Sequence, residues 1–218
     1  FDDAVCVCKD GEDGWLVYVA IADVSHYVKP GSAIDRYAFE RSTSVYLSSK
    51  VYPMLPEKLS NDLCSLREGQ ERLVVGVCMK VDLKGRLTQT KAARAIIKSH
   101  MRCTYQQIED MIAGQRDTPD WLTWPLRDLN DCVNVLTKSH IERGGLDFSS
   151  TQQKVVFDGK GFISKMGQYE RLSSHIMIER LMVLANHAVA KLLASKFSAG
   201  MYRHHPQMTD ESIMTLKK

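Results

Sequence analysis

Leu16 to Ala22 is a nearly unbroken apolar run, and Lys9-Asp-Gly-Glu-Asp-Gly14 stands directly in front of it. A run of that kind reads as a strand buried on both faces of a sheet. The preceding segment supplies two glycines and two aspartates, the chemistry of a turn that admits positive φ. Val5, Cys6, Val7 and Cys8 lie on the other side of that turn, so the two segments are predicted to form a β-hairpin. In an antiparallel hairpin the start of the first strand lies beside the end of the second, which brings Asp2 and Asp3 near Ala22 and Asp23. Three carboxylates then share one sheet end. Strands lie about 5 Å apart, and carboxylates that close raise one another's pKa unless a cation sits between them. Oxygen donors of this kind suit Mg²⁺ or Mn²⁺. The plainer alternative is that adjacent aspartates cap a solvated strand end, and the residues by themselves leave both readings open.

Composition narrows the class without choosing within it. The 218 residues, 44% hydrophobic and 25% charged, are ordinary for a globular protein; no repeat or linker divides them, and the hairpins and helices along them make one α+β domain. No apolar stretch reaches the roughly 18 residues of a membrane span, and no basic leader precedes an apolar segment. The net charge of +3 is compatible with a polyanionic partner but too small to imply one. Cysteines stand at 6, 8, 64, 78, 103 and 132 with no C-x-x-C pair, which reads as a reduced, cytoplasmic chain rather than a zinc or disulfide framework. There is no G-x-G-x-x-G, no P-loop and no G-x-S-x-G elbow, so nucleotide-cofactor and serine-hydrolase chemistry have no support. The histidines show no metalloprotease or deaminase spacing. Beginning at Phe-Asp-Asp and ending at Leu-Lys-Lys, the chain reads as truncated at both ends.

Further along, Ser32-Ala-Ile-Asp35 opens a predicted helix and Ser42 to Leu47 a short strand. Pro53 and Pro56 make a rigid loop, and Glu57 to Leu66 a helical turn. Arg72–Asp82 and Leu87–Lys98 read as a second hairpin, and Thr104-x-x-Gln107 as a capping box for a helix closed by Gly114. Gln115 to Trp124 reads as an exposed excursion, and Leu126 to Ile141 as an amphipathic helix. Leu146–Phe148 and Lys154–Phe157 are predicted short strands. Leu172 to Phe197 is apolar around most of its circumference and is predicted to be an interior helix. Arg180, His187 and Lys191 are expected to be its solvated stripe. Within it Glu179 is costly to bury unless paired, with Arg171 as the structural partner that would neutralise it. Tyr46 and Phe148, taken singly, read as core aromatics.

Several of these stretches, in order, resemble one family. Phe1-Asp-Asp-Ala4, Val19 to Val28, Pro53-Met-Leu-Pro56, Leu63-Cys-Ser-Leu66, Arg72-Leu73, Arg143-Gly-Gly-Leu-Asp-Phe148, Ile178-Glu179 and Tyr202-Arg203-x-His205 are similar to the catalytic (RNB) domain of the ribonuclease II and ribonuclease R exoribonucleases. Leu146-Asp147-Phe148 and His175 lean towards the ribonuclease R branch. The resemblance implies a mostly antiparallel sheet with packed helices, and processive hydrolysis of single-stranded RNA from its 3′ end. Asp2 and Asp3 would be catalytic and would hold Mg²⁺, with Mn²⁺ as the alternative. Two more aspartates would precede Phe1, and an arginine-bearing segment would follow Lys218. Tyr46 and Phe148 would clamp the terminal bases, and Arg171, His175 and Glu179 would line the channel around the last nucleotide. The family commonly has two acids where this chain has Glu179-Arg180. The resemblance further implies a monomer with no nucleotide cofactor. A non-catalytic RNA-binding scaffold built on the same domain, and a metal-dependent DNase or phosphodiesterase, are the competing readings.

Overall fold

The first turn closes where its glycines allow it, pairing Asp3 with Ile21 at one end and Lys9 with Trp15 at the other. The computed structural model describes residues 1–47, 50–145, 152–158, 162–169, 171–197, 199–202, 204, 206–209, 212 and 214–215. Strands β1 (Asp3–Lys9) and β2 (Gly14–Ala22) form the predicted hairpin. After it come helices α1 (Val24–Tyr27) and α2 (Ala33–Arg41) and the two-residue strands β3 (Val45–Tyr46) and β4 (Val51–Tyr52). The long strands β5 (Glu71–Asp82) and β6 (Leu87–Lys98) complete a four-stranded antiparallel sheet in the order β1-β2-β5-β6. Helices α3 (Tyr105–Ile112) and α4 (Asp120–Glu142), the antiparallel pair β7 (Gln152–Phe157) and β8 (Ile163–Tyr169), and helix α5 (Ser173–Lys196) follow.

Strand alternation assigns the two faces. Val7, Val17, Val19, Val77, Met79 and Val81 point to one side, where Cys132, Val133 and Leu136 of α4 and Met177, Leu181, Leu184 and Ala188 of α5 close the main core. The opposite face is covered at one end only. There Ala22 and Val74 pack with Leu59, Cys64 and Leu66 from a π-helical turn at Leu59–Leu63 and the strap that follows it. Farther along that face Tyr18 is 43% exposed, so β2 is buried on both sides over part of its length rather than throughout.

Three other expectations are corrected. Helix α4 starts at Asp120, so the segment before Pro125 is helical; the amide that proline lacks falls near the helix start, and packing of Leu126, Cys132, Val133 and Leu136 carries the rest. The strand expected over Ser42–Leu47 shrinks to Val45–Tyr46. Arg180 turns inward and is 8% exposed, whereas His187 and Lys191 do face solvent. The predicted strand at Leu146–Phe148 lies outside the described residues. All six cysteines are free, and no described helix is long and apolar enough to cross a membrane.

Candidate active site

The acidic end of β1 is held from two sides. Ala22 N donates to the Asp2 carbonyl at 2.9 Å, and Leu66 N donates to the Phe1 carbonyl at 2.8 Å. Consecutive strand positions project to opposite faces, so Asp3 shares the side of Val5 and Val7, and Asp2 the side of Ala4 and the smaller core. The charge of Asp2 is felt there: burial pushes the Cys64 thiol up, and the carboxylates of Asp2 and Asp23 push it further. Asp2 is exposed and Asp3 half-buried, which leaves both carboxylates open to a ligand. The Arg102 guanidinium sits 4.2 Å from the centre of the Phe1 ring beside them.

Asp23 reaches the same sheet end, as the hairpin demands, yet its carboxylate is already committed. It is 4% exposed and accepts from Ser25 Oγ at 2.6 Å and His26 N at 3.1 Å, which makes it the N-cap of α1. Arg94 of β6 adds its Nε at 3.2 Å. The Ser25 hydroxyl, then Arg94 and the His26 amide, hold the Asp23 carboxyl below the usual range against the opposing effect of burial. The third carboxylate at this sheet end is therefore neutralised by an arginine. Among the described residues no group of three His, Cys, Asp or Glu side chains is placed to hold a metal. What remains is an adjacent pair of hard oxygen donors. That is a donor set suited to Mg²⁺, which keeps several waters and takes one or two carboxylates together with substrate phosphate.

The N-terminal turn of α5 supplies a second group. Arg171 Nη2 meets Glu179 Oε2 at 2.7 Å, the ion pair weighed from the sequence; Glu179 is 47% exposed, so it escapes the cost of burial by lying at a polar edge. His175 Nδ1 accepts from Leu172 N at 3.1 Å, and its ring stacks on Tyr105 with centroids 3.9 Å apart. Glu109 of α3 receives Ser174 N at 2.6 Å and Ser173 Oγ at 2.7 Å. Burial raises its carboxyl, but the hydrogen bonds from Ser174 and Ser173 outweigh burial and leave it below the usual range. Sequence reasoning missed Tyr105 and Glu109. The available signal was the capping box at Thr104, which places Tyr105 at the first position of α3 and Glu109 one turn on.

Tyr46 stands on the β3–β4 hairpin, 76% exposed, so the core reading of that ring is corrected. Cation–π contacts surround the same region, Arg41 over Tyr37 at 4.5 Å and Lys50 over Tyr52 at 4.8 Å. Phe148 lies outside the described residues.

Comparison with known proteins adds the following. The family model described as the RNB domain matches residues 1–218. Ribonuclease R of Escherichia coli (strain K12) is 40% identical over 220 residues, covering 100% of this chain and 27% of the relative. The RNase R of Mycoplasma genitalium, solved in complex with ribose methylated single-stranded RNA, matches with a TM-score of 0.93 at 34% identity, over 99% of this chain and 34% of that one. Yeast Ssd1, described as a pseudonuclease, shares the fold with a TM-score of 0.67 at 17% identity, over 89% of this chain and 24% of that one. The chain thus spans about a quarter to a third of the length of such relatives. With a helix-backed antiparallel sheet that presents two adjacent aspartates at one end, and a family model matched from the first residue to the last, the chain belongs to the RNB domain family.

Proposed function

We propose that this chain is part of the catalytic domain of a metal-dependent exoribonuclease that removes 5′-nucleoside monophosphates, one after another, from the 3′ end of single-stranded RNA. The observation that carries the reading is the pairing of Asp2 with Asp3 at a doubly held strand start, in a chain of the RNB domain family. In this reaction a water oxygen bonds to phosphorus and the P–O3′ bond breaks. The proton ends on the new 3′-hydroxyl of the shortened strand.

Asp2 and Asp3 would hold Mg²⁺, or Mn²⁺ in its place; when bound, the ion activates a water and stabilises the departing oxygen. Tyr46 and Phe148 would stack on bases of the single strand, a contact worth about 1–3 kcal/mol per base and indifferent to sequence. The high exposure of Tyr46 supports that role. Arg171 would meet backbone phosphate while Glu179, paired with it, keeps the guanidinium oriented. The six free cysteines suit a reducing, cytoplasmic setting, and the domain is proposed to act as a monomer.

The test is Asp3→Asn in the intact protein, assayed on 5′-labelled single-stranded RNA. Turnover should be abolished while RNA affinity stays within about threefold, the signature of a residue that acts on the transition state. Equal loss of both would make Asp3 structural. The fold likeness to a pseudonuclease keeps the scaffold reading in view. Undiminished RNA binding by a wild-type protein that never cleaves in Mg²⁺ or Mn²⁺ would select it.

A further inference from the structure

We propose that Arg72 is a positioning residue for the acidic pair, acting through the strap at Ser65–Leu66. The proposal rests on the reading of Asp2 and Asp3 as cation ligands. Arg72 occupies the second position of β5 with its side chain 14% exposed. Its Nε donates to the Ser65 carbonyl at 3.0 Å, and its Nη1 to the Glu71 carbonyl at 3.0 Å. Its Nη2 meets Asp62 Oδ1 at 3.4 Å and also donates to Gln70 Oε1. One guanidinium thus ties together the π-helical turn, the strap and the start of β5. Ser65 is itself buried, and the strap runs on from it to the acidic strand, where Leu66 N donates to the Phe1 carbonyl at 2.8 Å.

That linkage matters because β1 is an edge strand of the sheet. β2 holds one side of it, and among the described residues no strand pairs with its other side. An edge strand with one-sided pairing opens more readily, and a carboxylate on it then spends part of its time away from its ligand. At Phe1 the strap takes the place of the missing strand, and Cys64 and Leu66 anchor it in the smaller core with Ala22 and Val74. Arg72 sets where along β1 the strap docks. Lysine cannot reproduce this, because a point charge with three donors on a flexible stem does not serve Ser65, Glu71 and Asp62 in one plane.

The experiment compares intact wild type with Arg72→Lys and Asp62→Asn. Bound Mn²⁺ is counted by electron paramagnetic resonance, cleavage of labelled single-stranded RNA is titrated with Mn²⁺, and thermal stability is followed alongside. Groups that orient metal ligands from outside typically carry about 10–100-fold in affinity. Arg72→Lys should therefore weaken Mn²⁺ binding by about tenfold or more, with turnover at saturating Mn²⁺ and the KM for RNA within about threefold of wild type. Asp62→Asn leaves the bond from Arg72 to Ser65 in place and should give a smaller shift of a few fold in the same direction. Because the Asp62 side chain is 43% exposed, that variant carries the test if Arg72→Lys does not fold. Lowered thermal stability with unchanged Mn²⁺ affinity in the variants would overturn the positioning role alone. A wild-type protein that binds no Mn²⁺ would overturn the cation seat and this role together.

Discussion

Gly14→Ala separates the two ends of the central strand, and its cost follows from the coordinates. Gly14 opens β2 with φ +142°, a backbone conformation that L residues rarely adopt. A Cβ added there would collide with the Val81 carbonyl oxygen and lie 2.9 Å from Asp82 Cα. Both neighbours are backbone atoms of the paired strand β5, so no side-chain rotation relieves the contact. The conformational strain amounts to about 1–3 kcal/mol. Relieving the collision displaces β2 from β5 at this end and costs about 1 kcal/mol for each ladder hydrogen bond lost, with about two at risk. The sum is about 3–5 kcal/mol. At roughly 2–4 °C per kcal/mol for a domain of this size, Tm should fall by about 6–20 °C. Gly11→Ala is the control: its φ is +60° but nothing lies within 4 Å of the added methyl, so only strain of about 1–2 kcal/mol applies. Eight residue steps of about 3.3 Å separate Gly14 from Ala22, a span of about 26 Å, so Mn²⁺ binding at the proposed seat of Asp2 and Asp3 should survive the substitution. Thermal melts followed by circular dichroism, with a Mn²⁺ titration of each variant, decide the matter. Coincident Tm values for the two variants would refute the collision, and loss of Mn²⁺ binding in a folded Gly14→Ala protein would refute the separation of the ends.

Two further expectations concern the site end and its flank. Because the folded pKa of Asp23 is depressed, its stabilisation is complete above the unfolded value of about 3.9 and drains away as pH falls through the lower folded value. The Tm gap between wild type and Asp23→Asn should accordingly stay constant above about pH 5 and close only below about pH 4; a gap that persists unchanged to pH 2 would contradict the Ser25 and Arg94 contacts. Ser42, at the C-cap of α2, is the one non-glycine residue with positive φ (63°) among the described residues, so Ser42→Gly should raise Tm by about 1–4 °C, and a lowered Tm would show that the hydroxyl contact to the Phe39 carbonyl outweighs the strain.

The hairpins, the capping box of α3 and the extent of helix α5 were legible because each rests on local chemistry: glycines at turns, a Thr-x-x-Gln spacing, an apolar period; α5 is not interior all round, since Val183 is 55% and Leu193 47% exposed. Fates settled by long-range partners were not. Arg180 reads as solvated in an ideal helical projection, but the sheet and neighbouring helices wrap α5 far enough to bury it. Asp23 was placed at the acidic sheet end by the hairpin, but its partner Arg94, which lies 71 positions later on β6, left no local signal. Glu179 was correctly matched to Arg171 because the two are joined by a single helical start, eight residues apart. Tyr105 and Glu109 stayed hidden because their partners, His175 and Ser174, lie far along the chain.

The two sheet ends differ in a way that favours one of them for the proposed chemistry. At the Gly14 end the chain turns back tightly between β1 and β2 and between β5 and β6, and it leaves few polar groups without local use. At the Asp3 end the chain leaves the sheet, and its segments cross: the strap reaches Phe1, Arg102 covers its ring, and Arg94 reaches across to Asp23. Crossings bring charges together that no single segment could pair. Asp23 has Arg94, and Asp62 has Arg72. Asp2 and Asp3 form no such ion pair among the described contacts, although they stand at the same crossing. An acidic pair with no cationic side chain beside it among the described contacts, on a strand start held from both sides, is the feature on which the proposed cation seat rests.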